Sequence, residues 1–152
     1  MPKLDIDKCP ADSSTGYPPP YDKAVQGRSR KRLARPASLT QFGVNLCTLK
    51  PGAASSHQHW HENEDEFVYV LTGEVVLREG GDEHILRAGD AAAWKAGVPV
   101  GHCLINRSVS DAVFIEVGTR ALVERAHYSE IDMKAERDEK GGRFMKRNGE
   151  PL

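Results

Sequence analysis

Residues 51–73 read PGAASSHQHWHENEDEFVYVLTG, and this stretch carries the strongest signals in the chain. Three of the six histidines, His57, His59 and His61, alternate within five residues. Because successive side chains of a strand point to opposite faces, an extended backbone here would put all three imidazoles on one side. Imidazoles that share a face can converge on a single metal ion. The stretch therefore predicts a metal site at the start of a strand.

A carboxylate that follows these histidines completes the predicted ligand set. Glu66 is the most natural candidate, although Glu64 and Asp65 are alternatives. A strand that begins at Glu66 points Val68 and Val70 inward beside it, because alternate residues share a face. This pattern favours Glu66 and predicts a His/His/Glu set that faces the interior.

A second histidine follows a turn rich in small residues. Gly89 and Asp90 precede the loop AGVPVG at 96–101, which leads into His102, and Asn106 comes four positions later. On its own, a histidine in this context is more often a core residue with hydrogen-bonded ring nitrogens than a metal ligand. Beside the first histidine block, we expect His102 to be the fourth member of the metal site.

Short apolar runs between glycines and prolines predict strands over most of the remaining chain. The predicted runs are 44–49, 67–71, 74–77, 84–87, 102–106 and 112–117. Turn signals at Thr72-Gly73 and at EGGD (79–82) separate them. Several short strands without a helical period between them favour an antiparallel β-sandwich or barrel.

The segment before this region, residues 1–39, is predicted to be an irregular arm. It contains GYPPP at 16–20, which suits neither a helix nor a central strand. The basic run RSRKR at 28–32 has two interpretations. It could be a patch that binds an anionic ligand or nucleic acid, or it could be a solvated arm or edge strand whose charges prevent pairing with another chain. We favour the second.

The segment after it, residues 120–152, is highly charged and poor in apolar residues. We predict a short surface helix at 132–137 and a tail that lies over the body of the protein or over a partner subunit. The domain prediction is thus a single unit over 1–152, with the barrel at about 40–119 between the arm and the tail.

The composition narrows the class of protein. The 152 residues include 21 Lys and Arg against 22 Asp and Glu, a balance that argues against nucleic-acid binding. No apolar run approaches the roughly 18 residues of a membrane helix, and no secretory signal is visible. The three cysteines are widely spaced, which excludes a disulfide framework and suits the reducing cytoplasm.

The two histidine blocks resemble the two sequence motifs of the cupin superfamily. The residues that match the motifs are Gly52, His59, His61, Glu66, Gly73, Gly89, Gly97, His102 and Asn106. Lys95 stands where the second motif usually has proline, and the loop before His102 is two residues longer than usual. The resemblance implies an antiparallel, jelly-roll-like β-barrel.

A narrower resemblance extends along nearly the whole chain. Segments such as GYPPPYD (16–22), HWHENEDEFVYVLTGE (59–74) and HYSEID (127–132) are similar to small bacterial single-domain cupins that carry the loose label of sugar-phosphate isomerase.

The resemblance also implies a metal site. It assigns His59, His61, Glu66 and His102 as ligands of one divalent metal ion per chain, which could be Fe, Mn, Ni, Zn or Co. His57 lies outside the motif, so it is a candidate for a residue that orients a ligand, for a substrate contact, or for a merely exposed side chain.

Three functions are compatible with such a site. The metal could polarise a hydroxy-ketone for an isomerase or epimerase of a small polar substrate. It could instead be Fe(II) in a dioxygenase of a small chelating substrate, because three histidines and one carboxylate leave two of six octahedral positions open. The third possibility is a non-catalytic small-ligand-binding protein.

The strand that begins at Glu66 also predicts a partner. Phe67, Tyr69 and Leu71 alternate with the inward valines and should form an apolar patch on the outer face. Large exposed apolar patches commonly mark interaction surfaces. We therefore predict a homodimer, the alternative being that the arm and the tail cover the patch within one chain.

Overall fold

Antiparallel strands form most of the regular structure in residues 3–152, the part of the chain that the computed structural model describes. Two short 3-10 helices, Ile6–Lys8 and Tyr21–Val25, occur in this range, and no helix within it is long and apolar enough to cross a membrane. The strands are β1 (Ala11–Asp12), β2 (Arg28–Arg32), β3 (Phe42–Leu49), β4 (His59–His61), β5 (Glu66–Thr72), β6 (Glu74–Glu79), β7 (Asp82–Arg87), β8 (Ala91–Trp94), β9 (His102–Ile105), β10 (Ala112–Thr119), β11 (Glu124–Tyr128), β12 (Lys134–Asp138) and β13 (Gly141–Met145). Each of the six predicted runs coincides with a strand to within two residues at either end, so the all-β prediction is confirmed.

The strands form two antiparallel sheets with an apolar core between them. The first sheet has the order β1-β2-β3-β10-β5-β8, and the second has the order β13-β12-β11-β4-β9-β6-β7. Hydrogen bonds within the described residues thus organise the fold as two sheets rather than one closed ring. Both sheets contribute to the core, which contains Cys47, Leu49, Ala53, Val68, Val70, Val75, Leu77, Leu104, Ala112 and Phe114.

Strand β5 joins the apolar core to the candidate metal site. Its inward residues Val68 and Val70 are 4% and 0% exposed. Glu66 stands two residues before Val68, so the strand directs its side chain to the same interior face. The alternation of one strand therefore places a carboxylate directly beside the core.

The outer face of β5 carries the three large apolar side chains that the sequence predicts there. Phe67, Tyr69 and Leu71 are 41%, 40% and 40% exposed. The strands of the N-terminal arm lie beyond β3 in the first sheet, and those of the C-terminal tail lie beyond β4 in the second. Because both segments add strands at the sides of the sheets, they leave this apolar patch accessible.

The basic run at 28–32 forms β2, which pairs with β3 on one side and with the two-residue β1 on the other. A strand near the sheet edge agrees with the favoured interpretation. The expectation that the run is solvated is wrong for Arg28, which is 6% exposed. Arg28 lies opposite the core residue Leu49, and opposing residues of an antiparallel pair share a face.

The charged C-terminal segment forms strands instead of the predicted helix at 132–137. Strand β12 pairs with β11 and β13, and β11 also pairs with β4. Glu136 on β12 contacts Arg125 on β11 at 3.4 Å and Arg143 on β13 at 3.0 Å. Cross-strand ion pairs of this kind stabilise neighbouring strands, which explains why a segment of charged residues with high helix propensity becomes sheet.

The hairpin between β5 and β6 depends on Gly73. Its φ angle is 74°, in the left-handed region that disfavours residues with a side chain. A Cβ atom at this position would lie 2.7 Å from the backbone oxygen of Asp111. The turn therefore requires glycine for two reasons, the backbone conformation and the close approach of a neighbouring segment.

We predict that Gly73→Ala lowers the free energy of unfolding by about 2 kcal/mol or more, because left-handed strain and overpacking add together. Gly52→Ala is the matched control. Gly52 has a similar φ of 83° but no atom within 4 Å of the added Cβ, so strain alone should cost about 1 kcal/mol. Urea unfolding of both variants measures the difference. Equal losses would show that the contact with Asp111 has no role.

Candidate metal centre

The candidate site lies between the two sheets, where β4 and β9 face β5. His59 on β4 lies directly opposite His102 on β9 in the antiparallel register, and His61 follows on the same side of β4. Glu66 reaches the same space from β5 in the other sheet. The fold thus brings together all four residues that the sequence predicts as ligands.

The donor atoms of these residues are close to one another. Oε2 of Glu66 lies 2.8 Å from Nε2 of His102, and Oε1 lies 3.5 Å from Nε2 of His61. The two Nε2 atoms of His59 and His61 are 3.1 Å apart. Ligand atoms of His59, His61 and Glu66 all lie within 4.8 Å of one another, and His102 joins this group through its contact with Glu66.

The other ring nitrogens of His59 and His61 have hydrogen-bond acceptors. Nδ1 of His59 is 2.9 Å from the backbone oxygen of His57, and Nδ1 of His61 is 3.3 Å from Oε1 of Glu124. Since a carbonyl and a carboxylate only accept, each Nδ1 must donate. In its neutral form each ring therefore presents a bare lone pair on Nε2. An outer carboxylate or carbonyl that orients an imidazole in this way is typical of metal-binding histidines.

This arrangement fits a metal cation. Two lone pairs 3.1 Å apart, beside a carboxylate, repel one another unless a positive charge lies between them. Two ligands bound at right angles at about 2.1 Å from one ion would be about 3 Å apart, which agrees with the separation of His59 and His61. Three imidazoles and one carboxylate are ligand types that Zn, Fe, Mn, Ni and Co all accept, so the ligand types alone do not select the metal.

The protonation of these groups follows from burial and from Glu66. Burial lowers the pKa of His59 to about 4, so this imidazole is neutral at neutral pH. Burial also disfavours the charged form of His61, but the hydrogen bond and charge of Glu66 outweigh it and raise the pKa. Hydrogen bonds from His102 and His61 overcome the burial of Glu66 and hold its pKa well below the usual range. The carboxylate is therefore ionised and attracts either a proton on His61 or a metal ion.

The alternation of the three histidines predicts that His57 shares a face with His59 and His61. In the structure it does not. Strand β4 begins only at His59, and Nε2 of His57 lies 2.8 Å from the backbone oxygen of Tyr21. The ring packs edge-on against Tyr17 and Tyr21 of the N-terminal arm. Only the backbone oxygen of His57 contacts a predicted ligand, so its imidazole anchors the arm.

The two alternative carboxylates have other partners. Oε1 of Glu64 accepts hydrogen bonds from the backbone N–H of Ala121 and from Arg137. Oδ1 of Asp65 accepts one from the backbone N–H of Ala96. For Asp65 this contact supports the choice of Glu66, whereas the carboxylate of Glu64 also lies within 4.8 Å of ligand atoms of His61 and Glu124.

Glu124 is the important residue that the sequence interpretation missed. It is buried, and besides His61 it accepts hydrogen bonds from the backbone N–H groups of Glu62 and Asn63 at 3.0 and 2.9 Å. It lies on β11, within the segment predicted to be a tail. The alternation of Glu124, Ala126 and Tyr128 on one face was a signal for a strand that would carry it inward.

Aromatic side chains enclose the histidines. Trp94 stacks on His102 with ring centroids 3.8 Å apart, and Tyr128 stacks on His59 at 5.7 Å. Trp60, which alternates out of phase with the histidines, stacks on His127 instead. The thiol next to His102, Cys103, is an unpromising nucleophile, because burial raises its pKa to about 11.

A cavity of about 280 Å³ opens beside the cluster, and all four predicted ligands line it. The arm contributes Tyr17 to its wall and the C-terminal segment contributes Phe144. The volume lies near the lower end of the range of roughly 300–1,000 Å³ that is usual for small-molecule sites. The site can therefore accommodate a small ligand.

Comparisons with known proteins agree with this architecture. The cupin domain family matches residues 45–118. A protein of Silicibacter pomeroyi, named a sugar phosphate isomerase from a cupin superfamily, is 44% identical in sequence; the alignment covers 99% of this chain and 96% of that one, with a TM-score of 0.96. A search of curated proteins finds no match.

More distant solved structures share the fold alone. The polyketide cyclase RemF of Streptomyces resistomycificus is 18% identical over 78% of this chain and 79% of its own, with a TM-score of 0.65. A predicted oxalate decarboxylase of Thermotoga maritima is 20% identical over 78% and 99%, with a TM-score of 0.63. Together, the paired histidine motifs, the two-sheet fold and the 44% identity to a cupin over nearly the whole chain show that this protein belongs to the cupin superfamily.

Proposed function

We propose that this protein binds one divalent metal ion through His59, His61, Glu66 and His102 and acts as a metal-dependent isomerase on a small polar substrate. One observation carries the metal proposal: His59 and His61 are held with their Nε2 atoms 3.1 Å apart beside the carboxylate of Glu66. The 44% identical cupin named a sugar phosphate isomerase supports the choice of reaction.

The bound metal would supply a Lewis acid for a carbonyl or hydroxyl oxygen. The residues of the chain have separate tasks. Glu124 and the backbone oxygen of His57 orient the two imidazoles of β4. Trp94 packs on the flat face of the His102 ring, and Tyr128 packs on that of His59, so each aromatic side chain holds one imidazole in place. Groups held in fixed positions in this way limit the orientations that a small substrate can adopt.

We predict that His59→Ala and His102→Ala abolish stoichiometric metal binding and retain the circular dichroism of a folded β protein, because neither histidine belongs to the apolar core. Glu124→Gln should weaken the metal by about 10- to 100-fold without removing it, since it loosens the orientation of His61. His57→Ala should change the affinity little, because only its backbone contacts His59.

Metal analysis of protein purified without chelator, followed by titration of the metal into the apoprotein, measures these effects. Full metal content in both alanine variants would contradict the ligand assignment. A loss on His57→Ala as large as that on Glu124→Gln would show that the His57 ring has a direct role.

We predict that the metal-loaded protein interconverts an aldose and a ketose, or two epimers, within a panel of small sugars and sugar phosphates, without consuming oxygen. Proton NMR of the mixtures and an oxygen electrode make the two measurements, and His59→Ala is the inactive control. Oxygen uptake with a chelating substrate would instead support an Fe(II) dioxygenase. Retained metal with neither reaction over the panel would support a ligand-binding protein without catalysis.

We also propose that two copies of the chain associate through the outer face of β5. Phe67, Tyr69 and Leu71 form the accessible apolar patch there. Closed twofold pairing is the commonest way in which a soluble chain buries such a face.

We predict that light scattering at micromolar concentration gives twice the chain mass of 16.8 kDa. Tyr69→Glu should lower the mass toward that of one chain and leave metal binding intact, because it places a charge in the interface. The control is Ile85→Glu, which places the same charge at an exposed position on β7 of the other sheet. A monomeric wild type, or equal effects of both variants, would refute this interface.

A further inference from the structure

Two arginines of strand β2 point into the interior of the protein. In the antiparallel register, Arg28 lies opposite Leu49 and Arg30 lies opposite Cys47, and both partners are fully buried core residues. Opposing residues share a face of the sheet, so the guanidinium groups enter the space between the sheets. Arg28 is only 6% exposed. Charged side chains are rarely buried to this extent unless an opposite charge compensates them.

The positive charge of these arginines is only partly compensated by the described chain. Arg30 forms an ion pair with Glu116 at 3.2 Å, and Asn45 also binds that carboxylate. Arg28 donates to the backbone oxygen of Ser55 at 2.6 Å, and no carboxylate within residues 3–152 forms an ion pair with it. Among the residues that the structure describes, the two positive charges thus share one ion-paired carboxylate, and Arg28 has no counter-ion in contact with it. Burial and the charge of Arg30 lower the pKa of Arg28, which agrees with this imbalance.

Both arginines line the same cavity as the proposed metal ligands. The cavity of about 280 Å³ has His59, His61, Glu66 and His102 in its wall together with Arg28 and Arg30. Nε of Arg30 is buried and has no hydrogen-bond partner among the described residues. The planar guanidinium group matches the geometry of a phosphate or carboxylate and can bind it through two parallel hydrogen bonds.

We propose that Arg28, assisted by Arg30, binds an oxyanion group of the substrate, a phosphate or a carboxylate, while another part of that substrate faces the histidine cluster. The inference extends the proposed function, because it assigns an acidic substrate to the same cavity. It also explains why a basic run with the composition of a solvated edge strand contains a buried residue. Arg32, the next residue on this face of β2, pairs with Asp12 at 3.1 Å and is absent from the cavity wall.

Oxyanion binding can be tested without a metal. Inorganic phosphate and acetate are titrated separately into metal-free protein by calorimetry, at an ionic strength held constant with chloride. We expect one saturable site per chain, with affinity reduced about 10- to 100-fold by Arg28→Met, as is typical of losing hydrogen bonds to a charged group. Arg32→Met is the matched control and should bind as the wild type does. Stronger binding of phosphate would indicate a phosphate ester as substrate, and stronger binding of acetate would indicate a carboxylic acid.

Two further variants distinguish failure of this proposal from misfolding of Arg28→Met and from failure of the metal proposal. Arg28→Lys retains the positive charge but loses the planar guanidinium group that makes two parallel hydrogen bonds. It should therefore fold, even where Arg28→Met does not, and bind the preferred anion several-fold more weakly. His59→Ala should lose metal and still bind the anion, so that failure of the metal proposal leaves this result intact. The inference is overturned if neither anion binds saturably, or if Arg28→Met and Arg28→Lys both bind as tightly as the wild type.

Discussion

An ionised, half-buried carboxylate between two sheets is the constraint on which the interior of this protein depends. Glu66 comes from the first sheet, and the three imidazoles around it come from β4 and β9 of the second. A charge in this position destabilises the fold unless positive charge compensates it. In the protein alone, a proton on His61 can do so, and a metal ion would do so more completely. The histidine cluster therefore connects the two sheets electrostatically, in addition to their apolar contact.

The orientation of the histidines depends on groups far away in sequence. Glu124 is itself fixed by two backbone N–H groups of the loop after β4, so it holds both the loop and the ring of His61. The N-terminal arm packs on the other side, where Tyr17 contacts both His57 and Tyr128. Both terminal segments thus contact residues around the site, and these contacts stabilise their packing on the body of the protein.

The cavity wall combines two kinds of polar chemistry. The imidazole and carboxylate groups of the candidate metal site line it, and so do the guanidinium groups of Arg28 and Arg30. The metal-site groups and the arginines reach the interior for the same reason: alternation along a strand directs every second side chain inward, whatever its charge. On β5 this rule directs two buried valines and the half-buried Glu66 inward, and on β2 it buries an arginine. A polar residue at an inward position of such a strand is therefore informative about function.

The sequence by itself determined the fold class and the group of residues at the centre. The short apolar runs have a period of two, and the spacing of His59, His61 and Glu66 is local, so both can be recognised without knowledge of the tertiary structure. His57 was assigned to the shared face because the sequence does not mark the residue at which β4 begins. The helix expected at 132–137 was wrong because cross-strand ion pairs are invisible until the neighbouring strands are known.

Only the tertiary structure decided the roles of Glu124 and Arg28. Glu124 lies 63 positions from His61, and Arg28 lies 27 positions from Ser55. The alternation of Glu124 with Ala126 and Tyr128 indicates a strand but not its neighbours, and Arg28 begins a basic run that has no apolar alternation. Their burial follows from strand register, β11 against β4 and β2 against β3, which is set by pairing between distant segments. The local spacing of the sequence does not show which distant segment a strand pairs with, and this is the physical reason why the chain alone did not reveal the contacts of Glu124 and Arg28.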